Sequence, residues 1–219
     1  MEKLVLKIEC ALVLLVLVVP PIVLQFFQGR VDSVRMVYSA PVFFMGLFAI
    51  ALYLQVRGRF LLRFHGRWTL FKVIVLSGEG LKAFGFLCVI SALLVLAGQL
   101  FGIDSGIVRV VRPDSPVLWC NFFLGTLLAV FYEEVVYRLY LPEMFRLLIP
   151  KLSPVLSEFA AVLFFALGHV YLGALGFLNA LGCGIALRLC IRKTHSIWFS
   201  FAAHAVYNFG SFFFLLLQS

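Results

Sequence analysis

Two adjacent carboxylates and an arginine interrupt an apolar run in the second half of the chain: Glu133, Glu134 and Arg138. Residues four apart share one face of an α-helix, so Glu134 and Arg138 can form an ion pair. Glu133 points about 100° away from Glu134, because a helix makes one turn every 3.6 residues. The pattern therefore predicts one carboxylate held in a structural pair and one available for chemistry. A charge cluster that merely ends an apolar helix is the alternative.

Two histidines further along the chain also lie in apolar surroundings. Phe165 precedes His169 by one helical turn, and His204 precedes Asn208 by the same interval. Hydrolysis of an amide inside a membrane needs a water molecule, a base and donors for the developing negative charge. A carboxylate, neutral imidazoles and an amide can supply these functions. Taken singly, each histidine is more typical of a side chain that hydrogen-bonds between packed helices.

The composition places these residues in a membrane protein. Hydrophobic residues make up 63% of the chain and charged residues 13%, whereas a soluble domain has about 25% charged residues. An ionisable group inside a span costs about 2.5–3.5 kcal/mol on insertion scales, which makes such a group a candidate for function. The net charge is +8, but the Lys and Arg residues lie between apolar runs. This distribution is typical of topology determinants, and we expect no nucleic-acid partner.

The apolar runs predict an all-α polytopic membrane protein with about seven transmembrane helices. An amphipathic, basic stretch near residues 60–77 is expected to be an interfacial or re-entrant segment. The chain should form one membrane domain over residues 1–219, with N-terminal spans in 1–113 and a motif-bearing core in 114–219. The predicted spans are Ile8–Phe27, Met36–Val56, Leu81–Phe101, Val117–Tyr132 and onward, Leu156–Tyr171, Leu175–Leu189 and Ile197–Leu217.

Most of the 18 Lys and Arg residues fall in segments that an inside N-terminus would place in the cytoplasm. The positive-inside rule therefore predicts the N-terminus inside and the C-terminus outside, in the cytoplasmic (inner) membrane. For the polar motifs to meet, the fourth helix has to continue past Tyr132. A stripe of small residues, Gly176, Ala180 and Gly184, predicts close helix packing in the sixth span.

Isolated polar residues in or near the spans are assigned no chemistry. Two of them, Glu9 and Arg188, lie near span ends and can reach the interface. The full set is Glu9, Gln99, Asn121, Asn179 and Arg188.

The three motifs resemble those of the CPBP family, which includes CAAX proteases and bacteriocin-processing or immunity proteins and is also called the Abi family. They occur in the family's order, and the resemblance extends from about Val117 to the C-terminus. The first three spans match the family only in being hydrophobic. The motifs are Glu133-Glu134-x-x-x-Arg138, Phe165-x-x-x-His169 and His204-x-x-x-Asn208.

This resemblance implies a glutamate-dependent intramembrane endopeptidase acting on a membrane-anchored peptide or protein, with no cofactor or metal. Glu133 would be the base that activates water, and His169 would help to hold that water. His204 and Asn208 would stabilise the oxyanion. Glu134 would position the site, with structural support from Arg138 and Phe165. The family and the basic loops together suggest a cavity open to the cytoplasm.

Two other functions are compatible with the same residues. Some members of the family are thought to act without catalysis, as membrane scaffolds or as bacteriocin self-immunity proteins. A divalent-metal-dependent protease is also conceivable, because Glu, His and Asn can bind such an ion, although the His-Glu-x-x-His motif typical of zinc proteases is absent.

Overall fold

The computed structural model describes residues 2–28, 33–60, 69–103 and 109–218, and within these ranges the chain is all-α apart from two short strands. Six helices are long and apolar enough to cross a membrane, and one shorter apolar helix accompanies them. The predicted fold class is therefore confirmed. The helices are α1 (Glu2–Val13), α2 (Val19–Gln28), α3 (Ala40–Phe60), α4 (Leu70–Phe101), α5 (Pro116–Glu133), α6 (Leu141–Leu148), α7 (Pro154–Leu167), α8 (Gly173–Thr194) and α9 (Ile197–Gln218).

Two of the spans contain a stretch of π-helix between α-helical parts. Leu14–Val18 joins α1 to α2, and Glu134–Tyr140 joins α5 to α6. The fourth predicted span therefore continues past Tyr132, as expected, and ends at Leu148. A π-helix uses i→i+5 hydrogen bonds and is found mostly as short insertions at functional sites. Here the second π-helix begins at the second carboxylate of the Glu133–Glu134 pair.

The helix α4 begins earlier than the sequence predicted. Leu70 rather than Leu81 is its first residue, and the Thr69 side chain caps it by accepting a hydrogen bond from the Lys72 backbone N–H. Its 32 residues span about 48 Å, which exceeds the hydrocarbon thickness of about 30 Å. Residues 70–77 thus form the start of this long helix rather than an interfacial or re-entrant segment. Residues 61–68 of the predicted segment lie outside the described residues.

A two-stranded parallel sheet joins the loop before α3 to the loop after α4. The sequence pattern did not predict this sheet. Its strands are β1 (Ser33–Arg35) and β2 (Arg109–Val111), with Ser33 opposite Arg109. Met36 follows β1 and Val110 lies in β2, and both side chains are buried against Phe122 of α5. The sheet therefore links the N-terminal spans to the start of the motif-bearing half.

The short helix α7 packs against the predicted small-residue stripe of α8. A Cβ atom on Gly184 would lie 2.9 Å from Val162 Cγ1 and 3.3 Å from Phe165 Cδ1. Ala180 is buried in the same core, whereas Gly176 faces Leu172 at the start of its own helix. Close packing is thus confirmed at Gly184, where the missing side chain lets Phe165 approach.

Substitution of Gly184 by valine should lower the free energy of unfolding by about 1–3 kcal/mol, because the added carbons overpack the contact with Val162 and Phe165. The same substitution at Gly85 is the control, since nothing lies within 4 Å of a Cβ there. Thermal unfolding of both variants in detergent checks the difference. Equal midpoints would contradict the assigned packing.

Candidate active site

The carboxylate of Glu134 is fully buried and is surrounded by hydrogen-bonding and charged partners. The Ser200 hydroxyl of α9 donates to Oε2, and His204 Nδ1 lies 2.9 Å from Oε1. Arg138 Nε lies 3.6 Å from Oε1. A carboxylate with this set of partners is held in one orientation. Glu134 is thus the paired carboxylate of the two.

Arg138 connects this buried pair to the second motif. Its side chain is fully buried, and its guanidinium carbon lies 3.7 Å from the centroid of the Phe165 ring, a cation–π contact. The Phe165 ring also lies 4.5 Å from the His169 ring and 6.2 Å from the His204 ring, centroid to centroid. The Phe165 ring therefore contacts the guanidinium of Arg138 and the rings of both histidines.

Glu133 lies on a different side of the helix and faces a cavity. Its side chain is 19% exposed, whereas that of Glu134 is 0% exposed, and its Oε2 lies 3.5 Å from Nε2 of His204. The two nitrogens of one imidazole thus face the two adjacent carboxylates. This geometry matches the predicted separation of one structural and one available carboxylate, while the role of Glu133 stays a prediction.

His169 is fixed by the backbone at the end of α7. Its Nδ1 lies 2.9 Å from the Phe165 carbonyl oxygen. A carbonyl oxygen only accepts, so Nδ1 carries the hydrogen and donates it. In the neutral ring Nε2 then has a free lone pair, which can accept a hydrogen bond from water.

A cavity of about 400 Å³ brings the polar residues of the three motifs together. Glu133, His169, His204 and Asn208 all line it, although they come from α5, the end of α7 and α9. Tyr38, which follows β1, and Val110 of β2 line it as well. The cavity therefore extends from Glu133 towards the end of the bundle that carries β1 and β2. With the N-terminus inside, this is the outer end, which disagrees with the expected opening to the cytoplasm.

Three further polar side chains contribute to the cavity wall and were not assigned any role from sequence. The Ser91 hydroxyl donates to Asn179 Oδ1 at 2.8 Å, and Asn179 Nδ2 donates to the Tyr207 hydroxyl at 3.1 Å. They come from α4, α8 and α9, so no local spacing relates them. Ser200 was missed as well, although it precedes His204 by one helical turn on the same face and could have been found from that spacing.

Arg188 has ion-pair partners that its position in the sequence did not reveal. Its side chain is only 10% exposed and forms ion pairs with Glu158 at 2.9 Å and Glu143 at 3.3 Å. These partners lie 30 and 45 residues away in the sequence, so helical spacing could not reveal them. Asn121 also has a remote partner: its side chain makes two hydrogen bonds to the Tyr38 backbone.

A metal centre is not preformed in the part of the chain that the structure describes, since these residues include no group of three or more His, Cys, Asp and Glu side chains that could hold an ion. The residues of the cavity are instead arranged as separate acid–base and hydrogen-bonding groups.

The motif-bearing half matches a known protein family. Residues 115–210 match the family described as type II CAAX prenyl endopeptidase Rce1-like. The match covers less than half of the chain, and it confirms the resemblance inferred from the three motifs. No curated protein and no solved structure shows a significant match to the chain.

Replacement of Glu134 by glutamine should destabilise the protein by about 3–5 kcal/mol, because it leaves the buried Arg138 guanidinium without its counter-charge. The same replacement at Glu133 should cost less than about 1 kcal/mol, since its carboxylate is partly exposed and has no guanidinium partner among the described residues. Thermal unfolding in detergent compares the two variants. A larger loss in Glu133→Gln would reverse the assignment of the two carboxylates.

Proposed function

We propose that the chain is a glutamate-dependent intramembrane endopeptidase that cleaves a membrane-anchored peptide or protein near its C-terminus. The observation that carries this proposal is the division between neighbouring carboxylates. Glu134 is locked by Ser200, His204 and Arg138, while Glu133 faces a cavity shared with His169 and Asn208. The match of residues 115–210 to a protease family supports the same reaction class.

Glu133 acts as the general base. It takes a proton from a water molecule. The Nε2 lone pair of His169 accepts a hydrogen bond from the other hydrogen of that water and so orients the molecule. The oxygen attacks the carbonyl carbon of the scissile amide, and the carbonyl π electrons move to the oxygen. Glu133 then returns the proton to the amide nitrogen as the carbon–nitrogen bond breaks. A positioned acid–base group of this kind contributes about 10²–10⁴-fold to the rate.

His204 and Asn208 stabilise the negative charge on the carbonyl oxygen. A carboxylate only accepts, so His204 Nδ1 donates to Glu134. Nε2 of the same ring faces Glu133 and the cavity, and a hydrogen on this nitrogen would be donated to the carbonyl oxygen of the substrate. Asn208 lies one turn further along α9 and adds an amide N–H donor.

The lining of the cavity favours an apolar substrate segment. Apart from the motif residues and the polar group of Ser91, Asn179 and Tyr207, the wall is largely apolar, with side chains such as Leu94 and Phe212. An apolar segment of a peptide can therefore move from the lipid into this cavity, and its backbone amides are then its main polar groups. This supports a substrate held at the membrane, consistent with the protease family of residues 115–210.

Replacement of Glu133 by glutamine or His169 by alanine should reduce cleavage by about 10²–10⁴-fold, because each removes a group that acts on the water. Asn208→Ala should lower kcat by about 10²–10³-fold as an oxyanion donor is lost. Comparison of the membrane proteomes of wild type and Glu133→Gln should reveal an uncleaved precursor, which is then tested with purified protein in liposomes.

Glu79→Gln is the matched control, because this carboxylate pairs with Lys82 and Lys193 at a distance from the motifs and should leave cleavage unchanged. A phenotype that survives Glu133→Gln and His169→Ala would establish a scaffold instead. Loss of cleavage on treatment with a chelator, restored by a divalent ion, would establish the metal-dependent alternative.

The orientation with the N-terminus inside is also part of this proposal, and it puts the β1–β2 end of the cavity outside. In a cysteine-free background, a membrane-impermeant maleimide should label Asp114→Cys in intact cells and Lys151→Cys only after lysis. Both positions are exposed and lie in loops at opposite ends of the bundle. The reverse pattern of labelling would place the C-terminus inside and the β1–β2 end in the cytoplasm.

A further inference from the structure

The carbonyl group of Arg138 cannot make the hydrogen bond of a regular α-helix. In an α-helix its oxygen would accept from the N–H of residue 142. Residue 142 is proline, which has no N–H, and it lies in the first turn of α6. A buried carbonyl is stabilised by a good donor, so a donor from another helix can help to hold this position.

Arg188 supplies that donor from α8. Its NH1 donates to the Arg138 carbonyl oxygen at 2.6 Å, across 50 residues of sequence. A charged donor to a buried carbonyl makes a stronger hydrogen bond than a neutral one. The contact is inside the protein, where water cannot take its place.

The guanidinium of Arg188 is itself held from two other helices. Glu143 of α6 and Glu158 of α7 both pair with NH2, at 3.3 Å and 2.9 Å. The exposed Arg192 contacts the other oxygen of Glu158, at 3.3 Å. Arg188 is thus oriented at the junction of α6, α7 and α8, with NH1 aimed at the π-helix.

We propose that Arg188 is a positioning residue, which holds the Arg138 carbonyl and thereby fixes the π-helical turn that directs Glu133 into the cavity. The main chain of Arg138 is gripped from α8, and its side chain contacts Glu134 and Phe165 on the other side. Arg188 does not line the cavity and acts on the reaction only through Arg138. The catalytic part of this inference rests on the proposed peptidase function.

Arg188→Gln should lower kcat by about 10–100-fold, because a displacement of about 1 Å at a reacting group has an effect of this size. KM should change by less than about twofold, since the cavity wall is retained. Arg188→Lys should recover part of the loss because an ammonium group can still donate to the carbonyl. Arg192→Gln, which removes a neighbouring ion pair with the same acid, should leave both constants unchanged.

A double-mutant cycle with Pro142→Ala identifies the contact responsible. This change restores an N–H at residue 142 that can donate to the Arg138 carbonyl. Arg188→Gln should then lower the unfolding midpoint and kcat less in the Pro142→Ala background than in the wild type, so the two effects are non-additive. Additive effects in this cycle would overturn the proposal, as would a kcat loss in Arg192→Gln equal to that in Arg188→Gln.

The midpoint cycle needs no substrate, so it tests the carbonyl contact even if the wild type cleaves no peptide. Cleavage by the wild type together with an unchanged kcat in Arg188→Gln would refute the positioning role and leave the peptidase function intact.

Discussion

The burial of one ion pair, Glu134 with Arg138, is the constraint on which the rest of this structure depends. Two opposite charges inside an apolar bundle are costly to desolvate, so they need close partners from the surrounding helices. The partners come from separate helices: Ser200 and His204 from α9, and the face of Phe165 from α7. The need to satisfy this pair therefore brings together the helices that carry the three motifs, and the adjacent Glu133 is placed among them.

The two neighbouring glutamates point to different sides of the helix, and the helix changes type between them. The α-helical part ends at Glu133 and the π-helix begins at Glu134. A π-helix is an unstable conformation in isolation, so surrounding contacts must maintain it. Pro142 of α6 has no N–H to donate to the Arg138 carbonyl, and Arg188 of α8 donates to this carbonyl. In the proposed role of Arg188, the orientation of Glu133 depends on residues that do not themselves line the cavity.

The sequence predicted the features that depend on local spacing and composition. Long apolar runs identified the helices, and the four-residue intervals correctly placed Glu134 beside Arg138 and both His204 and Asn208 on one face. Features that depend on tertiary contacts were missed, such as the ion pairs of Arg188 and the π-helix. The early start of α4 was missed because Arg63, Arg67 and Lys72 make the stretch basic, which predicted an interfacial segment, whereas a long helix can simply project beyond the lipid.

The small parallel sheet links part of the cavity wall to the first half of the chain. Both strands lie before residue 115, where the family match begins, and so do Tyr38 and Ser91 of the cavity wall. The three motifs and this part of the wall are therefore encoded in different halves of the chain. A substitution at Tyr38 or Ser91 would thus change the shape of the cavity without altering any residue of the motifs.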